Sequence, residues 1–242
     1  MQAMRRHFAL LLIGAATLWA DDSLTHARQA QALLGPDVWS QVISVENTAP
    51  RSPYPRTLHA LVFELEGMLW FYTDTDGTQS FSLQRGRLAE EKADFGPLLR
   101  DIEPGFTRWS AVPEATGAAE SPRVSLPNGC FIQSVAATRT LSAGANHLRL
   151  LSYYVQTPSG LHGHTVLAYS VRGRLEVFDP LWPNRAQKFP ETLGRDALAL
   201  ARAMRGSDVV RARLLPLDAS GPQSGHYAAA ATAGRAPKSS QS

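Results

Sequence analysis

From Ser23 to Leu34 small and apolar residues recur at helical spacing. Ser23 stands where a cap would, and Gly35-Pro36 ends the pattern, which predicts a helix. The pattern then changes to short apolar runs. Val38 to Val45 predicts a strand, and His59 to Leu65 and Met68 to Thr73 flank Glu66-Gly67, a hairpin signal. Gln79 to Leu83 follows the turn Thr75-Asp76-Gly77 and adds a third strand to that hairpin, so residues 38 to 84 predict an antiparallel meander. Leu88 to Asp101 returns to helical spacing and is interrupted near Gly96-Pro97.

No internal repeat is visible, and the second half has its own pattern. Apolar residues at helical spacing begin at Cys130 and run through Phe131, Ile132, Val135 and Ala136. Leu148 to Val155, His164 to Ser170 and Arg174 to Phe178 predict strands, the last two joined by the tight turn Arg172-Gly173. Pro190 to Arg205 predicts a helix, and Val209 to Leu215 a final strand. Helices followed by antiparallel strands make the class α+β. The stretches from Glu46 to Arg56 and from Ala111 to Pro127 are rich in Pro, Ser, Ala and Gly and predict loops. The second divides an N-terminal α+β extension, residues 21–120, from a segment over 121–216. Residues 217–242 carry almost no large apolar side chains, so a disordered tail is expected.

The ends alter this picture. Arg5-Arg6-His7, the apolar run Phe8 to Ala20 and a small residue before Asp21-Asp22 have the form of a cleaved signal peptide over residues 1–20. Ala16 is a second cleavage candidate. The run is short for a membrane span, which needs about 20 apolar residues. No cysteine lies near its end, so a lipid anchor is not expected. The expected location is periplasmic or secreted, with no stable membrane span after cleavage. The formal charge of +3 falls to +1 once Arg5 and Arg6 are removed. The remaining basic residues are scattered, with only Lys92, Lys188 and Lys238 as lysines. That pattern argues against a nucleic-acid partner. A hydrophobic content of 44% allows a sizeable core.

Cys130 is the single cysteine. An exported chain with one thiol has no internal disulfide, and a leftover thiol points to reactivity or intermolecular pairing. A cysteine reacts as the thiolate, which a helix N-terminus and an adjacent imidazolium both favour. Cys130 opens a predicted helix. His164 could move its proton, and Asp179 could orient that histidine, as the acid does in a serine triad. If Arg172-Gly173 is a two-residue turn, Val171 faces Arg174 and paired numbers sum to 345. Asp179 then shares His164's face of the sheet as a diagonal neighbour.

The motifs Asn128-Gly129-Cys130-Phe131, Gly163-His164-Thr165-Val166 and Phe178-Asp179-Pro180 carry a family resemblance. Cysteine at a helix start, then histidine and aspartate on successive antiparallel strands, resembles the transglutaminase-like branch of the papain-like superfamily. The resemblance covers about residues 125 to 183. It implies a helix carrying the cysteine packed on an antiparallel sheet carrying the other two. It also implies acyl transfer through a thioester, on a peptide or cell-envelope amide, with no cofactor and no metal. Papain-type enzymes place an oxyanion glutamine shortly before the cysteine, and none stands between Ser110 and Asn128. Gln79, Asn128 and Gln133 are the oxyanion candidates, beside the Cys130 backbone N–H. Phe131 and Trp182 are candidate substrate walls.

Two other classes are open. A non-catalytic papain-like fold could serve as an envelope binding or assembly module. His162 and His164 share a strand face, and with Asp179 or His147 they could hold a metal. Residues 21–120 could cover the groove, as a specificity element or an inhibitory flap.

Overall fold

The computed structural model describes residues 22–80, 88–114, 126–141 and 144–217. The expected signal sequence, residues 218–242 of the expected tail and the end of the third predicted strand lie outside the described residues. Among the described residues, no helix is long and apolar enough to cross a membrane.

The protein is α+β. A first helix, α1 (residues 22–34), leads into β1 (Ser40–Asn47), β2 (Thr57–Leu65), β3 (Met68–Thr73) and β4 (Gly77–Ser80). Helices α2 (Leu88–Ala93) and α3 (Gly96–Ile102) follow, then β5 (Phe106–Ala111). Helix α4 (Cys130–Ala137) precedes β6 (Ala145–Thr157), β7 (Gly160–Val171), β8 (Arg174–Phe178) and β9 (Gln187–Phe189). Helix α5 (Ala197–Arg205) and β10 (Val209–Pro216) close the described chain. The strands form two antiparallel sheets, ordered β4-β3-β2-β1-β5 and β10-β6-β7-β8-β9. The expected meander is therefore the first sheet, with β5 added on the far side of β1.

Both expected hairpin turns form. Glu66 and Gly67 take φ of 54° and 70°, and Arg172 and Gly173 take 50° and 74°. Positive φ at both central residues matches the right-handed twist of the flanking strands. Val171 pairs with Arg174 and Leu167 with Phe178, which is the expected register.

Strand residues alternate between cores. In the first sheet Leu61, Phe63, Trp70 and Tyr72 enter a central core, while Ala60, Val62, Leu69 and Phe71 enter an outer one with Phe95, Leu98 and Leu99 of the α2–α3 region. In the second sheet Leu150, Leu167 and Tyr169 face the central core, while Leu151, Val166 and Ala168 pack with Leu200 and Ala201 of α5. Sheets covered on both faces explain why these strands are continuous apolar runs rather than alternating ones. The central core also holds Ala27, Ala30 and Leu34 of α1 and Phe131, Ile132 and Val135 of α4. The two sheets follow the division of the chain near residue 120, but the segments do not have separate interiors. They share this core, with α1 and α4 between the sheets.

Local departures have physical causes. Ser23 is not a cap, because it lies inside α1, buried, where its Oγ accepts the His59 backbone N–H and hydrogen-bonds His59 Nδ1. The helix expected over Pro190 to Arg205 is split. A 3₁₀ turn spans Glu191–Arg195, and Asp196 then caps α5 by accepting the Ala199 N–H at 3.0 Å. Strand β5 is short, mostly exposed and at an edge, so its sequence carries little apolar signal.

Candidate functional site

The approach to Cys130 is fixed by the first sheet. Tyr72 Oη donates to Pro127 O at 2.7 Å, and Asn128 Nδ2 donates to Asp74 O and Thr75 O at 2.7 and 2.9 Å. Asn128 has φ of 51°, a conformation asparagine tolerates better than most residues. Gly129 is the N-cap, and a Cβ there would lie 2.5 Å from the Leu126 side chain. A larger residue before the cysteine would have to displace the buried Leu126 side chain. One turn further on, Ser134 Oγ donates to Thr165 O at 3.1 Å and fastens α4 to β7. That bond brings the helix start beside His164.

By strand alternation His164 belongs to the α5 face of its sheet, with Val166 and Ala168. Helix α4 packs on the opposite face. The ladder between β7 and β8 ends at Leu167 and Phe178, whereas β7 continues to Gly160. Beyond Phe178 the edge of β7 is uncovered, and there a thiol from one face meets an imidazole from the other. The thiol and the ring are close enough for each to shift the other's titration. His164 Nε2 pairs with Asp179 Oδ1 at 2.8 Å, which leaves Nδ1 for the sulfur.

Asp179 is fully buried. Its Oδ1 also accepts the Leu181 N–H at 3.0 Å, and its Oδ2 accepts from the Arg205 guanidinium. Arg205 is the last residue of α5, and its Nε donates to Tyr153 Oη at 2.8 Å. Tyr153 pairs across the ladder with His164 and meets its ring edge-on, centroids 5.6 Å apart. Arg205 and Tyr153 complete the site, and the sequence reading did not find them. The available signal was an arginine ending a predicted amphipathic helix, which also suits a helix C-terminus without any partner.

The charges oppose one another in the expected sense. Burial pushes the Cys130 thiol up. The hydrogen bond and charge of His164, with the Thr165 and Phe131 backbone N–H groups, outweigh it and hold the thiol below its ordinary value. Burial pulls His164 down, but its bonds to Asp179 and Cys130 raise it to about 9. Burial raises Asp179, and His164, the Leu181 N–H and Arg205 bring it below the usual carboxylate range. These couplings favour a thiolate facing an imidazolium, a form in which a cysteine is nucleophilic at neutral pH.

The other sequence candidates are placed differently. Phe131 is not a substrate wall. It is 4% exposed and stacks on Trp70, centroids 4.5 Å apart, because the residue after the helix start points into the central core. Gln79 pairs with Phe71 on the outer face of the first sheet, toward Tyr54. Tyr72, beside the cysteine loop, lies on the other face. The Asn128 amide is taken up by the β3–β4 turn. Gln133 is half-buried, one turn along α4 from Cys130. Trp182 is exposed, three residues beyond Asp179, and its backbone N–H donates to Asp179 O at 2.8 Å. His162 is exposed and bonds Ser159 Oγ through Nε2. Among the described residues no three His, Cys, Asp or Glu side chains gather in a metal-binding group.

No family model, curated protein or solved structure matches this chain.

Proposed function

We propose that this chain is an exported thiol hydrolase or acyltransferase with a transglutaminase-like, papain-like core, acting on an amide of a peptide or the cell envelope. The observation that supports it best is the convergence of Cys130 with the hydrogen-bonded pair His164–Asp179, drawn from a helix start, a strand and a strand end, with thiol and imidazole shifted in opposite directions.

The chemistry follows from those groups. The Cys130 thiolate attacks the amide carbonyl carbon, and the negative charge moves to oxygen. The backbone N–H of Cys130, at the first turn of α4, is the donor available to that oxygen. His164 then gives its proton to the leaving nitrogen as the C–N bond breaks, and a thioester remains on sulfur. Water attacks the thioester with neutral His164 as base, releasing the acid and restoring the pair. An amine in place of water would give transamidation. Asp179 keeps the ring in its tautomer and orientation throughout.

The test is the rate of Cys130 alkylation by iodoacetamide against pH. The expected profile has a reactive thiolate well below the free value of about 8.5, and His164→Ala removes that advantage. A thiol titrating normally and indifferent to His164 overturns the proposal.

One observation favours a second reading. Gln79 lies on the outer face of its sheet and the Asn128 amide is spent on a turn, so two of the three side-chain oxyanion candidates are placed elsewhere. An envelope binding module with a vestigial site would have that character, and the same alkylation profile separates the two.

A further inference from the structure

A depression of about 790 Å³ opens beside the site, between the 182–189 arm and α5. Trp182, Arg185, Gln187, Lys188 and Phe189 line one side, and Ala203 of α5 the other. Trp182 belongs to the turn that starts at Asp179, so the depression begins one turn from the partner of His164.

Its lining is one-signed. Arg185 and Lys188 contribute two cations, and no carboxylate lines it. Arg202 and Arg205, in the last turn of α5, are engaged elsewhere, with Val209 O and with Asp179 and Tyr153. The nearby acids are engaged. Asp179 is buried against His164 and Arg205, and Glu176 lies 3.9 Å from Lys188. Trp182 and Leu181 are more than half exposed, at 62% and 63%. The large exposed ring of Trp182 beside two lining cations suits a ligand that is apolar along its stem and negative at its end.

We propose that this depression is a subsite for a carboxylate of a peptide ligand, with Arg185 and Lys188 holding the carboxylate and Trp182 covering the chain that leads to it. The identity of the ligand as a peptide rests on the function proposed above. The charge selection rests on the depression alone. A guanidinium offers a carboxylate two parallel N–H donors, and the ammonium supplies a point charge.

The experiment uses the full chain carrying Cys130→Ala, so that binding is measured without turnover. The probes are alanine-based octapeptides with a single glutamate moved through each position, each matched by its glutamine counterpart. Calorimetric titration at low salt is expected to find at least one position where glutamate binds about tenfold tighter, the ratio one charge-assisted hydrogen bond supplies. Added Arg185→Gln with Lys188→Gln is expected to bring that ratio near one, and Arg185→Glu to turn the preference toward lysine peptides. Equal binding within every glutamate–glutamine pair overturns the subsite. So does a glutamate preference that survives the double substitution. The alkylation profile of the unsubstituted chain answers the separate question of catalysis. A normal thiol together with a glutamate preference lost on substitution overturns the enzyme and upholds the carboxylate site.

Discussion

Asp179 concentrates the charge of the site: a fully buried carboxylate with an imidazole, a backbone N–H and a guanidinium around it. Removing one partner of a buried charged pair leaves the other uncompensated. Arg205→Leu is therefore expected to lower stability by about 3 kcal/mol, read from the urea midpoint, and Arg205→Lys to recover most of it. Asp179→Asn is expected to keep the fold but offer the ring an amide in place of a carboxylate. Iodoacetamide alkylation at pH 7 should then fall by at least about tenfold, since the imidazolium loses its counter-charge. The alkaline side of the alkylation profile belongs to His164. Its loss of the proton near pH 9 should remove the neighbouring cation from the thiolate and appear as a second inflection there. A profile with a single inflection at the free-thiol value would contradict this coupling.

At the scale of elements, α4 carries two unlike demands in adjacent residues. Cys130 must face the gap beside β7, while Phe131 must fill the central core against Trp70 and Phe63. Phe131→Ala is thus expected to cost about 3 kcal/mol in denaturant unfolding, as an emptied core site does. Trp182→Ala is the contrast. Its exposed ring supports no core, so stability should change by less than about 0.5 kcal/mol. Peptide binding should weaken instead. If Trp182→Ala unfolded the protein, the exposed position of that ring would be wrong. Helix α5 is fixed at both ends, by the Asp196 cap and by Arg205. Asp196→Ala is expected to cost about 1 kcal/mol.

For the molecule as a whole, the titration of Asp179 links the site to folding. Its folded pKa is depressed, so its contribution is present above the unfolded value of 3.8 and is lost as pH falls through the lower folded value. Unfolding free energy should therefore fall with acid below about pH 4, and Asp179→Asn should flatten that slope. An unchanged slope would show that Asp179 is not held as an anion. The shared central core predicts a further behaviour. Because α1, the first sheet, α4 and the second sheet meet in one interior, the described chain should unfold in a single cooperative step by fluorescence and circular dichroism.

Much of this was written locally. Turn chemistry at Glu66-Gly67 and Arg172-Gly173 set two hairpins, and the second also set the register that places Asp179 beside His164. Those are short-range properties, determined by positive φ and by the two-residue period of a strand. Glycine before Cys130 and apolar spacing after it determined the helix start. Other features depended on packing between distant segments. The apolar runs showed that strands were buried but not that two sheets would share α1 and α4. The inward turn of Phe131, the outward turn of Gln79, the split before α5 and the arrival of Arg205 at Asp179 all depend on that layering. A residue's neighbours along the chain determine its backbone. Only the assembled layers decide which side chains meet across 26 residues, as Asp179 and Arg205 do, because no local propensity encodes such a contact.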